Sequence, residues 1–284
     1  MKIPRVLRWA AGIFLAALLG LSIWVSVQAG AVTPPKYWVV FGLLAVAAVG
    51  YRFRWLWLRQ LTLLGSLAYL GFYLAGCPCT TGSFEMVFVH LGMGEWARIG
   101  IPLLRVAAVG AVVFLLGNLF CGWVCFKGAL QEFLYRRHLA VRVPPGLDRW
   151  LKRFRYLILA VVVAYPLVLH TRIFNQVDPF RAAMNFTGTW FVVGLLVIVL
   201  ASSVFVFRPF CRYACPLGAF LGLINKVGLF KLRVTDPARC VDGKICVKSC
   251  PMQGLEKEDE LKADKAFCIA CMECAHACPK NCLK

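Results

Sequence analysis

The sequence predicts a mainly α-helical, polytopic membrane protein of about six spans with a small C-terminal α+β domain. Three observations carry that prediction. The 284 residues are 61% hydrophobic and only 16% charged, with a mean hydropathy of +0.73, whereas soluble domains are about 45–50% apolar. Long apolar stretches alternate with short basic connections. Eight of the fourteen cysteines fall from Cys240 onward, behind the last apolar stretch. The domain division expected is therefore residues 1–224 for the membrane part and 225–284 for the tail.

The net charge of +19 is unevenly placed: residues 1–224 hold 21 basic and 5 acidic side chains, and residues 225–284 hold 11 and 8. The basic residues flank apolar segments, where they set topology and meet anionic lipid. A nucleic-acid partner is not expected.

Six apolar stretches are read, at about 9–28, 37–51, 61–76, 100–120, 156–171 and 189–207, against the roughly 17–25 residues that a span needs. The second, third and fifth are short and lean on flanking arginine or aromatic residues. Tyr37, Trp38, Trp55, Trp57 and Trp190 fall where interfacial aromatics belong. Lys2, Arg5 and Arg8 precede the first stretch, Arg52, Arg54 and Arg59 follow the second, and eight basic residues between Lys127 and Arg155 follow the fourth. The alternate connections carry only Lys36, Arg98, or Arg172 with Arg181. The positive-inside rule then puts both termini in the cytoplasm. Val27-Gln28-Ala29 is a passable cleavage site whose use would leave five spans. The apolar run is long for a signal, so an uncleaved anchor is expected.

A decapeptide is repeated ninety positions apart. Phe120-Cys121-Gly122-Trp123-Val124-Cys125-Phe126-Lys127-Gly128-Ala129 matches Phe210-Cys211-Arg212-Tyr213-Ala214-Cys215-Pro216-Leu217-Gly218-Ala219. On a helix, cysteines at i and i+4 share a face. Two such pairs supply four sulfurs to one metal centre, or form redox-active dithiols; buried inert cysteines are the plain alternative. Lys127, Arg208 and Arg212 favour thiolate there.

In the tail, Cys268, Cys271, Cys274 and Cys278 follow the C-x2-C-x2-C-x3-C-P pattern, with Pro279 next. This is the bacterial iron–sulfur run, in which the fourth cysteine of each run ligates the other cluster. Zinc knuckles instead pair two separated units. The upstream run has Cys240, Cys246 and Cys250 before Pro251, but Gly243 stands where its second cysteine belongs. Cys250, Cys268, Cys271 and Cys274 thus form a complete [4Fe–4S] set. Cys240, Cys246 and Cys278 are left one ligand short, for a [3Fe–4S] cluster, a [4Fe–4S] cluster with an exogenous ligand, or one completed by Cys282; an empty half-site is the remaining outcome. So short a tail needs such cross-links as its core.

These motifs resemble the NapH/MauN-type polyferredoxin membrane proteins, related also to the membrane parts of NosR and CcoG. The resemblance covers residues from about 100 to 284 and rests on Cys121/Cys125, Cys211/Cys215-Pro216 and the tail cysteines. It implies a bacterial-ferredoxin-like tail on an inner-membrane anchor, and quinol oxidation feeding periplasmic reductases or maturation of periplasmic redox enzymes. Four features depart from the pattern: Phe126 in place of proline, Gly243 in place of a ligand, extra spans before the common core, and Cys77-Pro78-Cys79.

Cys77 and Cys79 begin at the outer end of the third stretch, where they would form a reducible disulfide, a thiol relay or a metal-ligand pair; two unrelated cysteines at a turn are the alternative. Arg105 is a charge inside the fourth stretch, either functional or snorkelled. His90 and His170 on the outer side would assist quinol deprotonation or bind haem, plain hydrogen-bonding residues being the alternative, and Glu85, Glu95 and Asp178 are unranked proton acceptors on that side. No phosphate-cradling glycine loop, nucleophile–base pair or flavin or nicotinamide fingerprint is seen. The expected function is electron transfer between quinol, or a cytoplasmic donor, and a redox partner. That partner is a periplasmic or membrane redox protein, alongside another ferredoxin-type subunit. The alternatives are a maturation factor supplying electrons or metal, and a redox-gated transporter, for which polar span-lining residues are few.

Overall fold

The structure is a computed structural model that describes residues 36–76, 79–229, 245–257 and 261–279. The first apolar stretch, Cys77, Cys240, Gly243 and Cys282 lie outside the described residues. The rest is mostly helical. Helix Lys36–Phe53 turns at Arg54 into Leu56–Ser66, which widens into a π-helical segment, Leu67–Tyr73. Then come Thr80–Met93, Trp96–Leu116, a π-helical turn at Phe120–Val124, Phe126–Leu134 and Pro145–Leu169. Short helices Ile173–Val177 and Pro179–Asn185 lead into Trp190–Phe205, followed by Pro209–Tyr213 and Pro216–Val227.

Local chemistry explains the boundaries. Gly94 ends Thr80–Met93 in a left-handed turn (φ 71°). Pro145 and Pro216 occupy first helical positions, where a missing N–H costs nothing. The Asp178 carboxylate accepts from the Phe180 amide and caps the helix it precedes.

Among the described residues, one helix, Arg98–Leu116, is by itself long and apolar enough to cross a membrane. Pro179–Asn185 and Trp190–Phe205 pass the same test together, bent by 97°. Among the described helices longer than seven residues, three fall outside the six apolar stretches: Thr80–Met93, Phe126–Leu134 and Pro216–Val227. The first and second mix polar with apolar residues, and all three pack inward rather than continuing a neighbouring stretch.

The core gathers where these short helices meet the long ones. Leu63, Val113, Leu119, Trp123, Val124, Ala129, Phe180 and Leu221 are wholly buried within it. The tail adds helical turns Ile245–Ser249 and Glu273–His276 and a two-stranded antiparallel hairpin, Leu255–Lys257 with Leu261–Ala263.

Candidate iron–sulfur centres

Cys250, Cys268, Cys271 and Cys274 line a single cavity in the tail, whose other walls include Met252, Leu255, Phe267, Ile269 and Met272. Left-handed backbone at Ala270 (φ 53°) and Met272 (φ 67°) brackets Cys271 and curls the loop around that space. Non-glycine residues hold such angles only where surrounding structure fixes them. Here the Ala270 carbonyl accepts from the Trp123 indole N–H at 3.0 Å, and Asn225 donates to the Lys265 and Cys268 carbonyls. Cys246 lies within electrostatic reach of Cys274. Among the described residues, no three His, Cys, Asp or Glu side chains converge on one ion, the arrangement that tetrahedral zinc requires. Four sulfurs spaced around an apolar cavity fit a cluster that fills the space between them.

Burial pushes the Cys268 thiol up to about 12 and the Cys271 thiol up to about 11, although the Arg59 guanidinium pulls Cys271 the other way. Thiols raised above their free value stay protonated at neutral pH, and iron must displace those protons. Iron retention should therefore fail first on acidification and improve as pH rises. Without the Arg59 charge, Cys271 binds its proton more tightly still. Arg59→Gln is expected to lose tail iron at a higher pH than the parent, followed by bleaching of the visible absorbance in a pH titration.

The repeated decapeptide builds a second group of thiols. Cys121 sits in the π-helical turn, while Cys125 is extended (φ −67°, ψ 112°) and precedes Phe126–Leu134. Cys211 lies in Pro209–Tyr213, and Cys215 is extended (φ −73°, ψ 115°) before Pro216–Val227. The expectation of each pair on one helical face gives way to a sharper turn, in which the second cysteine of each pair caps a new helix. Pro216 compels this in the second copy, because the residue before proline avoids helical backbone.

The copies match bond for bond: Cys125 and Cys215 donate their amides to Phe120 and Phe210, and Ala129 and Ala219 donate back to Cys125 and Cys215. The Cys215 sulfur also accepts from the Gly218 amide at 3.3 Å. The Cys121 thiol lies within electrostatic reach of Cys125, Cys211 and Cys215, so the four sulfurs form one group. Gln131 fixes its rim, donating to the Cys211 sulfur at 3.2 Å and accepting from the Phe210 amide at 3.0 Å.

The two thiol groups share a wall. A Cβ on Gly122 would lie 1.9 Å from the Ile269 carbonyl oxygen, so only glycine lets the tail loop seat between Cys121 and Cys125. Cys121, Cys250 and Cys271 pack around the same buried patch of Phe207, Met252 and Ile269. Beneath them, Glu132 pairs with Arg59 at 2.7 Å and with Arg208 at 2.5 Å, all three largely buried. Arg59 also donates to the Gly122 carbonyl, and Arg208 to that of Cys121. Arg208 passes so close to Gly128 that a Cβ there would lie 2.5 Å from its Nη1, which accounts for the repeat's glycine in that copy.

Several residues of this site carried no functional reading in the sequence. Lys152 and Arg155, read as topology charges, hold the tail. Lys152 donates to the Gln253 carbonyl, Arg155 donates to that of Ala266, and the Arg155 guanidinium stacks 3.7 Å from the Phe267 ring centre. Asp148 takes Lys152 and Arg212 together. Arg59, Glu132 and Trp123 were likewise unassigned; the one usable signal was a lone acid, Glu132, placed so soon after a cysteine pair. Cys79 and Asp178, expected on the outer side, instead meet residues expected on the inner one: Cys79 lies within electrostatic reach of Cys125, and Asp178 pairs with Lys127, because the short helices between the longer ones fold inward. Arg105 lines a partly open cavity alongside Glu85, Lys127 and Asp178. His90 instead pairs with Glu95, and His170 packs against the helix at Gly92; neither lines that cavity.

The chain also has relatives among known proteins. The chain matches the family described as "4Fe-4S binding domain" over residues 99–155 and 187–235, and that described as "4Fe-4S dicluster domain" over 232–279. Uncharacterized protein MJ0750 of Methanocaldococcus jannaschii is 32% identical over 80% of this chain and 93% of its own length. Protein NirI of Paracoccus denitrificans is 28% identical over 96% of this chain but only 38% of its own length. Ferredoxin-type protein NapH of Haemophilus influenzae is 28% identical over 62% of this chain and 67% of its own length. No solved structure matches at a significant level. Fold and thiol sites together define an iron–sulfur electron-transfer protein. Within that class, the chain belongs to the NapH-like family of ferredoxin-type proteins with 4Fe-4S domains.

Proposed function

We propose that the protein is a multi-pass inner-membrane electron carrier, with cytoplasmic termini, that moves electrons between quinol, or a cytoplasmic donor, and a redox partner. The observation that carries this reading is the shared wall between the two thiol groups, where the Cys268–Cys271 loop seats on Gly122. Adjacent redox centres are of use mainly for passing electrons. Support for a lipid setting comes from large apolar side chains left on the surface. On Trp190–Phe205 these include Trp190 (92% exposed), Phe191 and Ile198, and on Pro145–Leu169 they include Leu157 and Val168. Six spans, counting the apolar run at about 9–28, complete the proposed topology.

In this reading Cys250, Cys268, Cys271 and Cys274 would hold one [4Fe–4S] cluster. Cys240, Cys246 and Cys278 would hold a second, of three irons, or of four with Cys282 or an exogenous ligand. Cys121, Cys125, Cys211 and Cys215 would hold a further one. Such clusters supply one-electron chemistry when bound. The chain's own part is to set spacing, exclude water and place the Arg59 and Arg208 charges beside sulfur.

Iron and acid-labile sulfide counts on anaerobically purified protein, with EPR before and after quinol addition, test the reading. Reduction of the clusters by quinol is expected. Iron-bearing protein that no quinol reduces would favour a maturation role instead. Gly243→Cys is expected to convert a three-iron EPR signal into a four-iron one, and an unchanged spectrum would remove the ligand assignment of the second site.

A further inference from the structure

Beside the repeated-cysteine group lies a second cavity, and none of its lining residues belongs to the tail. Its floor is Phe126 and Lys127, which directly follow Cys125, and Cys79 stands in its wall. Lys127 is buried and ion-paired to Asp178, with its ammonium 5.4 and 6.0 Å from the centres of the Phe174 and Phe180 rings. Glu85, wholly buried, accepts from the Phe174 and Asn175 amides at 2.8 and 3.2 Å. Four cations (Arg105, Lys127, Arg172 and Arg181) face two carboxylates (Glu85 and Asp178) across this space.

We infer that this cavity is the site where quinol is oxidised, with Glu85 and Asp178 as proton acceptors and the Phe126, Phe174 and Phe180 rings enclosing the head group. The inference rests on the proposed quinol-linked electron transfer and gives it a location. Three features select a hydroxylated aromatic ring. Aromatic walls suit its faces. Buried carboxylates suit its hydroxyl protons, and the surplus of cations favours the ring oxygen as its proton leaves. Oxidation of one quinol to quinone breaks two O–H bonds and releases two protons and two electrons. One proton goes to Glu85 and the other to Asp178, whose charge Lys127 otherwise neutralises. The electrons go singly to two oxidised iron–sulfur clusters, leaving through the Cys125 end. That end adjoins both the cavity and, through Cys121, the tail site.

Two variants test the site. Glu85→Gln removes a proton acceptor and keeps its shape. Gly82→Phe fills the cavity from a wall position where an added Cβ meets nothing nearer than 3.9 Å. Both should keep parental iron and dithionite-reducible EPR signals, yet be reduced by a short-chain quinol at least about a hundredfold more slowly, the lower end of what positioned acid–base groups contribute. Parental protein that quinol does not reduce would defeat the functional reading itself. Parental protein that quinol reduces, with both iron-loaded variants equally fast, would overturn only the site. A third measurement needs no variant: a redox-inert quinone analogue should slow maleimide labelling at Cys79, mapped by peptide mass, and unchanged labelling also overturns the site.

Discussion

Replacing Gly122 with alanine should detach the tail from the helices that precede it. The added methyl would have to occupy a point 1.9 Å from the Ile269 carbonyl oxygen, which is backbone and cannot swing aside as a side-chain tip would. Overpacking a well-filled site costs about 1–3 kcal/mol where side chains can yield. Here the loop itself must lift, which would also break the Trp123 bond to the Ala270 carbonyl and open the Phe207–Met252–Ile269 patch. The expected result is faster proteolysis and hydrogen exchange across residues 245–279 and lower iron content. In whatever iron remains, electrons should equilibrate more slowly between the two thiol sites. A Gly122→Ala protein with parental protection of the Ile269–Cys271 amides would show that the loop is not seated as described.

The second large effect is expected at Glu132. Its carboxylate is shared by Arg59 and Arg208, each about 1% exposed. Burial by itself would disfavour its charge, but the two guanidinium groups prevail and hold its carboxyl below the usual range. Glu132→Ala would leave two guanidinium groups buried without a counter-charge, a situation that costs about 3–5 kcal/mol. A fall of that size in unfolding free energy, or an equivalent drop in Tm, is expected. Arg59→Gln alone should cost much less, because Arg208 still neutralises the acid. The sign with pH follows from the lowered pKa. The stabilisation is present above the carboxyl's unfolded-state pKa and is lost as pH falls through its depressed folded-state value. Equal losses in the Glu132→Ala and Arg59→Gln proteins would show that the network is not organised around the acid.

Much of the chemistry was legible in the linear pattern because cluster ligation is a matter of spacing. The two runs ending at Cys250-Pro251 and Cys278-Pro279 point together to Cys250, Cys268, Cys271 and Cys274, and those four line one cavity. The decapeptide repeat likewise marked two matching segments, and its phenylalanine, cysteine and alanine positions recur as equivalent backbone contacts. The turn geometry was less legible. Spacing of i to i+4 reads as one helical face, but Cys125 and Cys215 are extended and start new helices. Hydropathy also misjudged the short helices, since Thr80–Met93 and Phe126–Leu134 carry too many polar residues to register as spans.

By itself the sequence determined the apolar character of the chain, the cluster-type spacing of its cysteines and the kinship of the two repeats, because each depends on which residue types occur and how far apart they stand. Only the tertiary structure decided which of the many cations serve a site. Lys127, Arg208, Arg59 and Arg155 look alike as basic residues beside apolar runs. Folding buries all four and pairs Lys127 with Asp178, Arg59 and Arg208 with one shared Glu132, and Arg155 with the Ala266 carbonyl and the Phe267 ring. A buried charge must find a partner across the fold. Those partners stand 51 to 111 positions away, beyond the reach of any local pattern.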